Sequence, residues 1–334
     1  MANNTQSEQL DKIVSTLLGP PDASLLRSDA ARPFDKSFAP LIEVIRDLKD
    51  LPRPDFKARL KSDLERRAKM ASTAVKFVRE GFHTVTPYLI IPNAAQWIDF
   101  VKQAFGAEEY FRAKRPGAED IIMHAEVKIG DSMIELADAN PQFPATPCTL
   151  LLRVSDPDAV YARAVEAGAM VFDRVGDHDY GSRGGTVVDA SGNRWHIFNP
   201  TPGNAIFGAF GSVTPHLYAT EPVQLIEFLQ KAFGGEEVYR AEMPGGGIPH
   251  AQVRIGDSIV ALAGGHGPYQ PQPSTLHLYV PDTDALYGRA LAAGATSIQP
   301  PADQPYGDRS AGVTDPFGNR WFIATHVRDV ASGG

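Results

Sequence analysis

The chain states one pattern twice. PYLIIPNAAQWIDFVKQAFGAEEYFRA (Pro87 to Ala113) returns as PHLYATEPVQLIEFLQKAFGGEEVYRA (Pro215 to Ala241). HAEVKIGDSMIELA (His124 to Ala137) returns as HAQVRIGDSIVALA (His250 to Ala263), and YGSRGGTVVDASGNRWHI (Tyr180 to Ile197) as YGDRSAGVTDPFGNRWFI (Tyr306 to Ile323). A spacing of about 126 residues is too long for a solenoid unit and close to the size of one compact domain, so the sequence reads as a duplicated domain. Places where the copies differ then carry the most information about chemistry.

With 43% hydrophobic residues in 334, the chain can bury substantial cores. A net charge of −8 with no basic stripe argues against a nucleic-acid partner. The lone Cys148 forms no internal disulfide, no apolar run reaches bilayer length, and MANNTQSEQLDKIV lacks the pattern of a secretory leader. The expectation is a cytoplasmic protein with no membrane contact.

Each repeat divides again. TPYLII reads as a strand and AAQWIDFVKQAFG as a helix closed by a glycine suited to a left-handed cap. EEYFRA, IIMHAEVKI and SMIELAD read as three strands, the last two linked by the tight turn Gly130-Asp131. TLLLRVS, DPDAVYARAVEAGA, VFDRV, GGTVVDA and NRWHIF repeat that order, so the chain holds four βαβββ modules. The expected organisation is a helical, partly disordered extension at 1–81, a domain at 82–202, a linker at 203–211 and a second domain at 212–330. In the extension, Leu41, Ile45 and Leu48 keep helical spacing, as do Phe56, Leu60 and Leu64 after Asp55. These helices either pack on the repeats or offer a protein contact. Ile206, Phe207 and Phe210 suggest a linker that lies along protein surface.

The TPYL start, AFG helix end, HAEVKIGDS hairpin and GNRW final strand, present in both copies, resemble the vicinal oxygen chelate superfamily of glyoxalase I, bleomycin-resistance proteins and extradiol dioxygenases, and within it the phosphonate-operon type. The resemblance implies an α+β fold of two tandem glyoxalase-like domains, whose paired modules curl into cup-shaped sheets. It also implies metal positions at Thr86, Glu135, Thr149 and His196, of which only Glu135 and His196 are strong ligands, and at Thr214, Ala261, Thr275 and Phe322, of which none is. If the cups form instead by exchange between repeats, Glu135 meets Thr275 and Phe322 while His196 meets Thr214 and Ala261, and a metal is expected still less. One divalent ion (Zn, Ni, Mn or Fe) in repeat one is thus the only cofactor suggested. The superfamily includes isomerases, lyases, dioxygenases and binding proteins, and fold alone does not choose among them.

Strand alternation indicates which residues line a cup. The Gly130-Asp131 turn pairs Glu126 with Glu135, puts Ala125, Val127, Ile129, Ile134 and Leu136 on the helix side, and leaves His124, Glu126, Lys128, Met133 and Glu135 on the other face. In repeat two that face carries His250, Gln252, Arg254, Ile259 and Ala261. Opposed carboxylates need a cation, proton or donor between them, unless water solvates them. Glu135 and His196, brought together by the positions the resemblance implies, are candidate catalytic residues with Glu126, the first two as metal ligands or as an acid–base pair. His216, His250 and His277 with Tyr279, Phe322 and Arg254 suggest an aromatic, weakly cationic pocket for a flat or anionic molecule, with Tyr88 and His124 as further lining candidates. Arg183 and Arg309, in YGSR and YGDR, either clamp a ligand anion or tie their loops to Asp189 and Asp315. Trp195 and Trp321 alternate with cup residues and belong to the core; Cys148, with no basic neighbour, has no catalytic role.

Three classes of function follow: a small-molecule binder holding a polar or aromatic ligand without turnover, a lyase, isomerase or dioxygenase using Glu135 and His196, or a regulator acting through its N-terminal helices. No dinucleotide fingerprint is present, since the GGG at Gly245 opens no helix.

Overall fold

The computed structural model describes residues 77–244 and 246–330, all within the compact unit Val75–Gly334. The N-terminal helices expected from the sequence lie outside these residues. Four modules follow one another. The first has β1 (Val85–Ile91), α1 (Ala94–Phe105), β2 (Glu108–Arg115), β3 (Ala118–Ile129) and β4 (Ser132–Asp138). The second has β5 (Thr149–Arg153), α2 (Pro157–Glu166), β6 (Met170–His178), β7 (Ser182–Val188) and β8 (Arg194–Pro200). A short 3-10 turn at Ala205–Phe207 leads to the third, with β9 (Val213–Ala219), α3 (Pro222–Phe233), β10 (Glu236–Ala241), β11 (His250–Ile255) and β12 (Ser258–Gly264). The fourth has β13 (Thr275–Tyr279), α4 (Thr283–Ala292), β14 (Thr296–Asp303), β15 (Asp308–Thr314) and β16 (Arg320–His326).

Local chemistry sets these boundaries. Asp156 and Asp282 cap α2 and α4 by accepting from Ala159 N and Ala285 N at 3.0 and 2.9 Å. Gly106 and Gly234 close α1 and α3 in the left-handed conformation. The β3–β4 hairpin pairs Glu126 with Glu135 and Val127 with Ile134, the register expected from its two-residue turn.

The modules pair across the repeats. One eight-stranded sheet runs β14-β15-β16-β13-β1-β4-β3-β2, joining module four to module one; the other runs β10-β11-β12-β9-β5-β8-β7-β6, joining module three to module two. The hydrophobic cores follow the repeats instead. Leu89, Trp97, Ile98, Val127, Leu136, Leu150 and Trp195 share one core within repeat one, and Leu217, Leu229, Val253, Leu276 and Trp321 share the other within repeat two. Each repeat is therefore held together on its helix side, while its two modules contribute to different sheets.

Both hairpin tips clasp the opposite repeat. Ser212 N donates to the Asp131 carboxylate at 2.7 Å, and Thr84 N donates to that of Asp257 at 2.8 Å. Gly130 and Gly256 sit at these contacts with φ of 61° and 59°, where a Cβ would come within 2.2 Å of Ser212 Oγ and 2.3 Å of Thr84 Oγ1. Only glycine meets both the backbone and the spacing requirement there. His83 bridges the tips, through Nδ1 to Asp257 at 3.1 Å and Nε2 to the Asp131 carbonyl at 3.1 Å.

Candidate functional site

The exchange of modules creates two cups of different chemistry. Cup one lies on the sheet of modules one and four, cup two on the sheet of modules two and three. Glu135 of β4 and His196 of β8 consequently belong to different sheets, and the metal or acid–base pair expected of them does not form. The trio His216, His250 and His277 is split as well: His277 on β13 joins cup one, while His216 on β9 and His250 on β11 join cup two. The sequence leaves both pairings open because β1 and β9, like β5 and β13, are copies of one another, and strand patterning alone cannot distinguish pairing within a repeat from pairing between repeats; the sheets take the exchanged arrangement.

Cup one is built around two buried carboxylates, Glu126 and Glu135, each 2% exposed and directly opposite in register. Glu126 is not solvated, the alternative left open by the sequence. Its Oε1 meets His124 Nε2 at 3.1 Å, and its Oε2 accepts from Arg79 at 2.6 Å. Burial by itself raises the Glu126 carboxyl, but these two donors override it and hold the group below the usual carboxylate range. Glu135 accepts from His277 Nδ1 at 2.5 Å. Burial opposes charge on His277, yet the carboxylate beside it raises the imidazole above its ordinary value. The opposed carboxylates are thus neutralised from both sides, as their register requires. Tyr88 lies 3.4 Å from His124 Nδ1 and packs on Phe322 at 5.5 Å between ring centres. Tyr279 donates to Asp308 at 3.1 Å, and His326 Nδ1 meets the same carboxylate at 2.8 Å.

The segment before β1 closes this cup. Phe82 is buried with Met133, Tyr279 and Ala324, and Arg79 stacks over Phe82 at 4.6 Å from its ring centre. Arg79, Asp308 and His326 were missed in the sequence, because none lies at a cup-facing position defined by the two hairpins. The linker plays the same part in cup two. Phe207 and Phe210 are buried against Leu151, Phe198, Ile259 and Ala261, so the linker packs on the protein and is no free tether.

Cup two is uncharged and aromatic. His196 Nδ1 meets Thr186 Oγ1 at 3.0 Å, and Nε2 lies 3.4 Å from the Tyr180 hydroxyl. Gln252 Nε2 donates to His250 Nε2 and to the Ile206 carbonyl, each at 3.0 Å. Burial pushes His196 and His250 down to about 4 and His216 lower still, so all three imidazoles are neutral at neutral pH. The weakly cationic pocket expected from the sequence is accordingly replaced by a neutral one. His216 is 7% exposed, and among the described residues neither of its ring nitrogens has a well-formed hydrogen-bond partner, although the Leu262 backbone lies close enough to act on the ring; the Thr149 hydroxyl, on the residue paired with it across the β5–β9 ladder, is likewise unpartnered among these residues.

Other candidates fall away from the cups. Arg183 pairs with Asp158 and Asp177, and Arg309 with Asp284 and Asp303, so both arginines tie their loops to neighbouring elements through carboxylates other than Asp189 and Asp315. Asp189 and Asp315 serve the core: Asp189 accepts from the Trp97 and Trp195 indoles at 2.8 and 3.0 Å. Asp315 does the same for Trp321 at 3.0 Å. Arg254 reaches solvent beside Glu236 at 3.3 Å. Cys148 is buried and its thiol is pushed up by desolvation, as an inert core residue should be. A cavity of about 250 Å³ beside Trp97, Phe100 and Ser191 lies on the helix side, remote from this chemistry.

The metal positions implied by the resemblance become Thr86, Glu135, Thr275 and Phe322 in cup one and Thr149, His196, Thr214 and Ala261 in cup two. One strong ligand in each does not fit a divalent site, and the unpartnered buried Thr149 and Thr275 hydroxyls are weak donors in place of the missing ligands. His124, Glu126 and Glu135 form a different group, with ligand atoms all within 4.8 Å of one another, that could bind a metal ion.

Among known proteins, the chain shares 37% identity over 130 residues with the uncharacterized protein Rv0887c of Mycobacterium tuberculosis (strain H37Rv), covering 36% of this chain and 76% of that one. The uncharacterized protein Mb0911c of Mycobacterium bovis shows the same identity with 86% of its length covered. The structure of glyoxalase I from Zea mays superposes with a TM-score of 0.55 at 13% identity, over 72% of this chain and 92% of that one, which speaks to fold alone. No helix among the described residues is long and apolar enough to cross a membrane. The model of the Glyoxalase/Bleomycin resistance protein/Dioxygenase superfamily matches residues 81–197 and again 211–323. The chain belongs to that superfamily, as a tandem of two of its units.

Proposed function

We propose that this is a small-molecule-binding protein and that cup two receives a flat, uncharged ring carrying hydrogen-bonding atoms. The observation that carries this reading is His216, buried with both ring nitrogens lacking a well-formed partner among the described residues. Leaving a buried polar group unsatisfied costs about 1–3 kcal/mol, so the position asks for a partner that the described residues do not supply. In cup one the equivalent residue is Tyr88, whose hydroxyl already meets His124. Around His216 stand Tyr218 at 4.5 Å and His250 at 5.9 Å between ring centres, an aromatic wall suited to a planar ligand. The phosphonate-operon-like branch suggested by the TPYL and GNRW motifs belongs to the same proposal.

A panel of neutral heteroaromatic compounds, screened by thermal shift and then titrated into wild type and His216→Phe, tests it. Compounds that bind wild type and lose at least tenfold in affinity for the variant are expected. Ligands that bind both proteins equally, or a panel with no binder, would sink the reading.

A second reading is favoured by the clustering of His124, Glu126 and Glu135. A divalent ion held by these three would polarise a ligand oxygen and make cup one a lyase, isomerase or dioxygenase site. Since Arg79 and His277 already neutralise both carboxylates, the group fits a cation only once Arg79 withdraws. Near-stoichiometric metal in purified protein, lost in Glu135→Ala, would favour this reading over simple binding.

A further inference from the structure

The two cups are closed by equivalent segments, and the closing residue and its receptor change together between the copies. Counting from the first strand of each repeat, Arg79 and Phe207 hold the same place, as do Phe82 and Phe210. Counting from the hairpins, Glu126 and Gln252 hold the same place. In cup one the charged Arg79 meets the charged Glu126 at 2.6 Å; in cup two the neutral Gln252 donates to the backbone carbonyl of Ile206, beside Phe207. The residue at position 126 or 252 thus reads whatever occupies the mouth of its cup, and in cup one it reads a guanidinium.

From this we infer that the mouth of cup one is a binding site for a planar organic cation, an amidinium or guanidinium compound, and that Arg79 is its built-in competitor. The inference rests on the reading of the cups as ligand sites. Three features define the place. Glu126 supplies a buried anion whose Oε1 is already engaged by His124, leaving Oε2 for the cation. Phe82, held edge-on against Tyr279 at 5.8 Å, supplies the face on which the guanidinium stacks. The Arg79 side chain is 32% exposed, so the cation enters from solvent and Arg79 can leave without disturbing the buried ring. Planarity matters, because an amidinium presents paired N–H groups to a carboxylate and a flat face to Phe82, which an ammonium does not. A competitor tethered by a few residues acts at an effective concentration of the order of millimolar, so the intact chain binds such ligands weakly.

The test is calorimetric titration of benzamidinium into the full chain as wild type, Arg79→Ala and Arg79→Ala/Glu126→Gln. Arg79→Ala is expected to bind at least tenfold more tightly than wild type, a gain of about 1.4 kcal/mol, and the double variant is expected to lose that gain. Should Arg79→Ala fail to fold, Arg79→Gln, which keeps a neutral donor against Glu126, carries the same comparison. Affinity no higher than wild type in a folded Arg79 variant overturns the inference. So does binding that survives Glu126→Gln, or an Arg79 variant that takes up Zn2+ and no benzamidinium. If cup two retains its His216-dependent ligand while benzamidinium fails, the cation site alone is wrong; if both fail, the reading of the cups as ligand sites falls with it.

Discussion

Replacing His277 by leucine leaves Glu135 in cup one without its counter-ion. Glu135 is 2% exposed and its Oε2 accepts from His277 at 2.5 Å; the nearest other cationic candidate, His124 Nε2, is 3.9 Å from Oε1 and is already engaged by Glu126. Breaking a buried ion pair from one side costs roughly 3–5 kcal/mol, and for a folded unit of this size each kcal/mol moves Tm by about 2–4 °C. A fall of the order of 10 °C is expected in a thermal melt at pH 6. Cup two shows what repairs it, since the equivalents of Glu135 and His277 there are Ala261 and Leu151, both buried. Glu135→Ala/His277→Leu should therefore recover most of the loss. The pH dependence has a definite sign. The folded pKa of His277 is raised, so its contribution is complete below the unfolded value of about 6.5 and fades as pH climbs through the higher folded value. The gap between wild type and His277→Leu should thus narrow towards alkaline pH. A single variant that melts within about 2 °C of wild type, or a gap that widens as pH rises, would refute the buried-pair argument.

Gly256→Ala forces a residue with φ of 59° against Thr84, and urea denaturation should show a loss of about 1–3 kcal/mol. Gly234→Ala, at φ 71° with nothing within 4 Å of the new Cβ, should cost less, and equal losses would remove the argument from the clasp. On the acid side, His196 and His250 stay neutral down to about 4 while their unfolded counterparts protonate near 6.5, so stability should fall between these values at up to about 1.4 kcal/mol per pH unit for each histidine. Urea midpoints of His196→Phe measured from pH 7 to 4 should decline less steeply than those of wild type, and parallel slopes would contradict the burial of a neutral imidazole. Asp189→Ala strands the Trp97 and Trp195 indoles and the Asn193 amide, for a loss of at least about 3 kcal/mol; tryptophan fluorescence during denaturation reads it, and a midpoint shift equivalent to under 1 kcal/mol would discount the hub.

Much of this was legible without coordinates. The duplication, the βαβββ order, the Glu126–Glu135 opposition and the assignment of Ala125, Val127 and Leu136 to the core all follow from periodicity and a two-residue turn, which act over a few neighbouring residues. The identity of each cup does not. Since β1 and β9 are equivalent, and so are β5 and β13, pairing β1 with β5 or with β13 satisfies the same local pattern. What separates the alternatives is long-range: α1 and α2 bury one core within repeat one, α3 and α4 another within repeat two, and the sheets close only by joining modules across them. That choice gave Glu135 to His277 instead of His196 and left His216 unpartnered among the described residues. The segments before β1 and β9 were only partly legible for a related reason: Phe207 and Phe210 marked a linker packed on protein, but which strands lie beneath them and beneath Phe82 depends on the floor that distant strands build. Sequence alone determined the modules and the face each strand buries, through contacts local in the chain; tertiary structure decided which modules share a cup, and hence which charges meet, because contacts distant in the chain distinguish between otherwise equivalent edges.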